Sequence, residues 1–266
     1  MQQHYPYRLF PVTVFLLCAA ALLRAPAYAQ VDTVYPGSGH LRTSALQPGL
    51  KQYLVYYQRP GAGKTLWCWY WIRDIAVETR NGEKVYAIHQ QWLGSDTASY
   101  RVIFSLNRAK DFAPLYHTES GNGKTNAYNW SAAGIAGADT VEANAQKDFA
   151  LAFDRPNFNW NLDIETFEML PLAEGRTFAI NFYDAGREPP EFVLYKVTGS
   201  EQLTLLGQVQ VDCWKLATTG SYNGVAYTQT FWISKQQHEL LKEEDVFDKM
   251  FRCKIKLPRA APKLTL

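Results

Sequence analysis

Complete catalytic and metal-binding signatures are absent from this chain. Its four cysteines include no CxxC pair, and its five histidines include no HExxH and no pair at metal-ligand spacing. No G-x-S-x-G surrounds a nucleophilic serine. No cofactor and no metal is therefore expected. One-signed charge is missing as well. Removing Arg8 and Arg24 from the 27 basic residues leaves 25, against 25 acidic residues, so nothing attracts a polyanion and nucleic acid is excluded as a partner. Internal repeats and low-complexity blocks are also absent.

Long apolar runs are confined to the amino terminus. Arg8 precedes "LFPVTVFLLCAAALL" (Leu9–Leu23), and "APAYA" ends at Ala29 with small residues at the last and third-last positions. This predicts a secretory signal over residues 1–29, cleaved before Gln30, with no membrane-spanning segment in the mature chain. Leu17 before Cys18 argues against a lipoprotein anchor. The protein is expected to be exported, to the periplasm or beyond. Export permits a disulfide, yet Cys68, Cys213 and Cys253 sit in apolar strand patterns. Buried free thiols are expected, with Cys213–Cys253 as the pair if one forms.

The chain contains "PGAGKTLWCWYW" (Pro60–Trp71), whose Gly61-Ala62-Gly63-Lys64-Thr65 matches the end of a phosphate-binding loop. The full motif requires glycine at position 58, which is Gln58. It also requires a helix after the lysine, where an aromatic strand pattern follows instead. The stretch reads as a turn with a solvated lysine. Its tryptophans are the informative half.

Turn signals alternate with short runs of aromatic and β-branched residues, the pattern of an antiparallel all-β domain. The organisation reads as an extended lead-in over residues 30–50, one β-rich domain over 51–258, and a tail over 259–266. Asn81-Gly82 predicts a type I′ hairpin turn. Counting outward sets Val77 opposite Tyr86, Ile75 opposite Ile88 and Trp71 opposite Trp92, with Asp74 and His89 on the other side. Trp67, Trp69, Trp71, Tyr86 and Trp92 then share one face and are the candidate ligand-binding residues. They can equally fill a closed sandwich. Asp74–His89 reads as a cross-strand polar pair, because no nucleophile accompanies it.

Further strands are predicted at 100–106, 115–119, 149–153, 176–183 and 192–198, followed by a meander over 208–257. In its last strand Phe251, Cys253, Ile255 and Leu257 are expected inward, and Arg252, Lys254 and Lys256 outward. The preceding turn sets Asp245 opposite Arg252 and Glu243 opposite Lys254, so "EEDVFD" reads as register-setting. "NFNWNLDIETFEMLPL" predicts an amphipathic helix stopped by Pro171, with Trp160, Ile164 and Phe167 packed on the sheet. Its Asp163, Glu165 and Glu168 fit either the helix dipole or, more weakly, a glycosidase-type acid cluster.

Three Asp-Thr-aliphatic triplets, at Thr33, Thr97 and Thr140, resemble a bacterial O-glycosylation signal. Asn129-Trp130-Ser131 fits the N-glycosylation acceptor of a eukaryotic secretory route.

The phrases "LPLAEGRTFAINFYDAG" (Leu170–Gly186), "YKVTGSEQL" (Tyr195–Leu203), "VDCWKL" (Val211–Leu216) and "TFWISKQQHELLKEE" (Thr230–Glu244) occur in that order. Together they resemble the bacterial exported family called domain of unknown function 3108. The resemblance extends back to about Leu66. It implies an envelope protein of Gram-negative bacteria with a curved antiparallel sheet, similar in shape to the open barrels of lipoprotein carriers, and it carries over no catalytic residues. The expected fold is a strongly curved sheet or incomplete barrel with one packed helix. The expected role is non-enzymatic binding of a hydrophobic or lipid-like ligand, or of an envelope protein partner. The alternative is a hydrolase acting on envelope lipid or glycan in the same concavity.

Overall fold

The computed structural model describes residues 30–61, 67–187 and 189–258. The expected signal segment, the tail and the Gly63-Lys64-Thr65 part of the loop lie outside the described residues. Sixteen strands form one mixed sheet that does not close. The amino-terminal half contributes β1 (Val31–Val34), β2 (Gly49–Gln58), β3 (Trp67–Arg80), β4 (Glu83–Leu93), β5 (Arg101–Arg108), β6 (Pro114–Gly121), β7 (Lys124–Trp130) and β8 (Gly134–Gly137). Short strands β9 (Ala150–Ala152) and β10 (Phe158–Asn159) precede a six-residue helix, α1 (Asp163–Glu168). Then come β11 (Thr177–Tyr183), β12 (Glu191–Thr204), β13 (Gln210–Tyr222), β14 (Val225–Ser234), β15 (Leu240–Phe247) and β16 (Met250–Lys256).

The sheet order is β1-β11-β12-β13-β14-β15-β16-β2-β3-β4-β5-β6-β7-β8-β9. Its pairs are antiparallel except β1 and β10, which both run parallel to β11. The lead-in thus carries a strand of its own. The Asn-Gly turns fix the hairpins. Asn81 and Gly82 have φ of 52° and 79°, the two positive values a type I′ turn demands. Val77–Tyr86, Ile75–Ile88, Asp74–His89 and Trp71–Trp92 pair as expected. Asn122-Gly123 makes the same turn between β6 and β7, a hairpin the sequence reading passed over.

The sheet is rolled around its helix. Phe167 of α1 packs against Phe182 of β11, Tyr195 of β12 and Phe231 of β14, with ring centroids 6.0, 4.7 and 4.8 Å away. On the opposite side Glu165 of α1 bonds Arg73 of β3. In a flat sheet β11 and β3 would stand about 34 Å apart at the usual strand spacing. A single helix cannot reach both unless the sheet curls about it. Six residues do not sustain a helix alone in water, so α1 exists because the barrel wall surrounds it.

Three expectations are corrected here. The helix has no solvent side: Ile164, Glu165, Thr166, Phe167 and Glu168 are all buried. The last strand faces the other way. Lys254 is buried and Lys256 nearly so, while Ile255 is 38% exposed. Alternation separates two faces without saying which points inward, and here Glu243 and Glu239 pair with Lys254 and Lys256 inside. Cys68 is exposed, whereas Cys213 and Cys253 are buried, and all three are free thiols.

Close backbone approach sets the far end of the sheet. A Cβ on Gly137 would lie 2.1 Å from the Gln146 carbonyl oxygen and 2.5 Å from that of Lys147. Gly137→Ala is expected to break the 2.8 Å Gly137 N–H to Phe149 C=O bond and to cost about 1–3 kcal/mol in urea unfolding. Ala136→Ser, at an exposed neighbouring position, should be neutral.

Candidate functional site

The inner face of β3 carries Trp67, Trp69, Trp71, Arg73 and Ile75 in alternation. Arg73 is 1% exposed, and its guanidinium grips both oxygens of Glu165, Nε to Oε1 at 2.8 Å and Nη2 to Oε2 at 2.7 Å. Nη2 also donates to the Asn161 carbonyl at 2.6 Å, and Gln90 donates to the same oxygen at 3.0 Å. Lys51 of β2 pairs with Glu168, whose second oxygen accepts the Leu240 N–H at 2.9 Å. Lys256 pairs with Glu239 at 2.5 Å. Glu165 and Glu168 are therefore partners for cations on the wall, which replaces the glycosidase reading of that cluster, while Asp163 and Glu165 hold the first-turn positions that suit the helix dipole.

A second polar contact holds the entry to α1. Asn159 donates to His117 Nδ1 at 2.9 Å, and Ser105 Oγ lies 2.9 Å from the same nitrogen. Burial pushes His117 down to about 4, so it is a neutral acceptor at physiological pH. All three residues are sealed from solvent, which makes this a structural clasp with no open nucleophile.

Toward the end of the sheet where β15 turns into β16, the inner face becomes mixed. Arg252 pairs with both Glu243 and Asp245, and Lys254 pairs with Glu243. Their cross-strand register is the expected one, but Glu243, Asp245 and Lys254 are buried rather than on the surface. Burial opposes ionisation of Glu243, yet Lys254 and Arg252 hold it down to about 2. Burial, and then the Glu243 charge, push Asp245 up to about 7. Asp245 Oδ1, Arg252 Nε and Thr218 Oγ1 are buried without a hydrogen-bond partner. These three residues lie along one cross-strand row, Thr218–Gln229–Asp245–Arg252–Tyr57–Trp67.

The candidate aromatics on the neighbouring strands differ in exposure. Trp71 and Trp92 stack at 4.2 Å with planes 6° apart. The Lys254 ammonium sits 4.7 Å from the Trp71 ring, and the Arg101 guanidinium 5.8 Å from Trp92. Trp71 is buried, Trp69 and Trp92 are half-buried, and Trp67 is 36% exposed. Tyr86 is different. It lies deeper, its hydroxyl donating to the Thr43 carbonyl at 2.9 Å and its ring packing on Phe112. The structure adds Tyr57, edge-on to Trp69 at 5.1 Å, and half-buried Trp160, which packs on Phe182 at 5.1 Å. Asp74 and His89 lie exposed on the outer face, with the His89 ring against Phe104. Arg73 shares its strand parity with Trp71 and Ile75, a signal the sequence reading did not use.

Removing one partner of the Arg73–Glu165 pair leaves a lone buried charge. Glu165→Gln is expected to destabilise by about 3–5 kcal/mol in urea unfolding. The double variant Arg73→Met with Glu165→Gln should recover a large part of that loss. Additive losses in the cycle would contradict coupling.

No curated protein matches the chain. Similar solved structures include a β-barrel-like protein of domain of unknown function DUF1849 from Brucella abortus. It is 12% identical with a TM-score of 0.47, covering 82% of this chain and 97% of that one. Another is a DUF1329 family protein from Desulfovibrio piger, 10% identical with a TM-score of 0.25, covering 81% and 87% respectively. The family model described as "Protein of unknown function (DUF3108)" matches residues 52–254, and the chain belongs to that family.

Proposed function

We propose that this is an exported, non-enzymatic binding protein of the cell envelope that holds a hydrophobic, lipid-like ligand at its aromatic mouth. The observation that carries this reading is the gradient from buried Trp71, through half-buried Trp69 and Trp92, to exposed Trp67 on one inner face. A filled core would leave no reason to bring so much aromatic surface to the rim. Large apolar walls with a few convergent polar groups are the usual lining of a small-molecule site.

The ligand sits at the mouth rather than in the depth of the sheet, because α1 and its flanking residues pack the interior. Leu162, Ile164, Phe167, Met169 and Leu170 are all 0% exposed within the main core. The hydrolase alternative is weaker on the same ground. Glu165, Glu168 and Glu243 are engaged by buried cations, and His117 is closed off. Export rests on the amino-terminal sequence pattern.

Protein purified in the absence of detergent and extracted for mass spectrometry is expected to carry lipid. Fatty acids are expected to displace a hydrophobic fluorescent dye. Trp69→Ala and Trp67→Ala should each weaken dye binding by about tenfold, the equivalent of 1.4 kcal/mol. Leu194→Ser, on the outer face at 57% exposure, should leave it unchanged. A clean extract with no dye displacement would refute the reading.

A further inference from the structure

The three Asp-Thr-aliphatic triplets take no part in the binding face, and the fold treats them differently. Each offers one carboxylate, one hydroxyl and one small apolar side chain on consecutive residues. A transferase reads such an address on a folded protein only where all three side chains and the backbone between them are within reach. Surface turns meet that condition, and paired strands do not.

Asp32-Thr33-Val34 fails it. The triplet lies within β1, whose backbone pairs with β11 from Val31–Thr177 to Val34–Ile180. Thr33 is exposed, but alternation turns its neighbours inward, Asp32 at 7% exposure and Val34 at 0%. The Arg176 guanidinium donates to Asp32 Oδ2 from Nε at 3.2 Å and from Nη2 at 2.5 Å. Reading that carboxylate requires breaking the pair and peeling β1 from the sheet. The N-glycosylation acceptor is also folded away. Asn129 and Trp130 lie in β7, the Trp130 indole is buried and donates to Asn157 at 3.2 Å, and Ser131 Oγ donates to the Gly134 carbonyl at 3.0 Å.

The other two triplets sit in turns. Asp96, Thr97 and Ala98 are all exposed in the connection between β4 and β5. Thr97 opens a single 3-10 turn, which Asp96 caps through Oδ1 by accepting from the Ser99 N–H and the Ser99 hydroxyl at 2.8 Å each. Asp139 and Thr140 are exposed, and Val141 is half-buried, in the turn after β8. Neither Asp139 nor Thr140 makes a hydrogen bond or ion pair among the described residues.

We propose that Thr97 and Thr140 are O-glycosylation sites and that Thr33 is not, because the fold presents the first two triplets whole and hides the flanks of the third. This rests on the export reading, since the acceptor has to meet a transferase of the envelope. The step is a glycosyl transfer from a sugar activated at its anomeric carbon as a phosphate or diphosphate ester. The threonine Oγ1 attacks that carbon, and a new C–O bond forms as the bond to the phosphate oxygen breaks. The phosphate ester leaves with the bonding pair, and the hydroxyl proton passes to a base of the transferase. This chain supplies only the acceptor and its presentation.

The test is intact-mass measurement of the whole protein purified from its native host, with fragmentation of its peptides to locate any added mass. The expected result is a chain beginning at Gln30 that carries two glycans, on Thr97 and Thr140. Thr97→Ala and Thr140→Ala should each remove one glycan mass, and Thr33→Ala should remove none. Asp96→Asn keeps the turn, because asparagine caps as well as aspartate, and it should lose the glycan at Thr97 with an unchanged circular dichroism spectrum. A chain cleaved before Gln30 at its bare sequence mass overturns the modification and leaves export standing. An unmodified chain that retains residues 1–29 overturns export and the modification with it. A glycan on Thr33 overturns selection by the fold.

Discussion

The bidentate pair between Arg73 and Glu165 is the contact on which the interior is organised. It joins the middle of the sheet to a six-residue helix that has no stability of its own. Around it Lys51 holds the last turn at Glu168, and Asn161 is held by Arg73 and Gln90. Phe167 meanwhile fills the space between β11, β12 and β14. Apolar packing supplies most of the stabilisation by area, but it is non-directional. The ion pairs decide which way the helix enters and how far.

That anchoring explains why the interior around α1 is closed. With α1 seated at the level of Arg73, residues below it belong to the packed core. Beyond it Trp69, Trp92 and Tyr57 are half-buried and Trp67 is exposed. Tyr57 and Trp67 end the cross-strand row that also carries Thr218, Asp245 and Arg252, each with an unpartnered buried atom. Buried polar atoms without partners are uncommon in folded proteins.

What the sequence made legible was local. Asn81-Gly82 fixed one hairpin to the residue, because two consecutive positive φ values permit few alternatives. The turn before β16 placed Asp245 opposite Arg252 and Glu243 opposite Lys254. The same strand was turned inside out in the sequence reading, since a period of two is symmetric between faces. Lys254 points inward, where it pairs with Glu243 of β15, and which face of β15 is the inner one is set by strands and a helix far away in the chain. The helix was recognisable from Trp160, Ile164 and Phe167, yet its charged side looked like a solvated face until the wall supplied Arg73 and Lys51. Arg73, flanked by Trp71 and Ile75 at strand spacing, was the readable clue.

The central claim is that the helix is locked into the sheet as part of one cooperative interior. Native-state amide hydrogen exchange of Thr166 to Met169, compared with the Ile75 and Ile88 amides of the β3–β4 ladder, tests it directly. The account predicts that both sets exchange only through global unfolding, with the same free energy and the same urea dependence. Helix amides that exchange through a local opening well below the global free energy would contradict it.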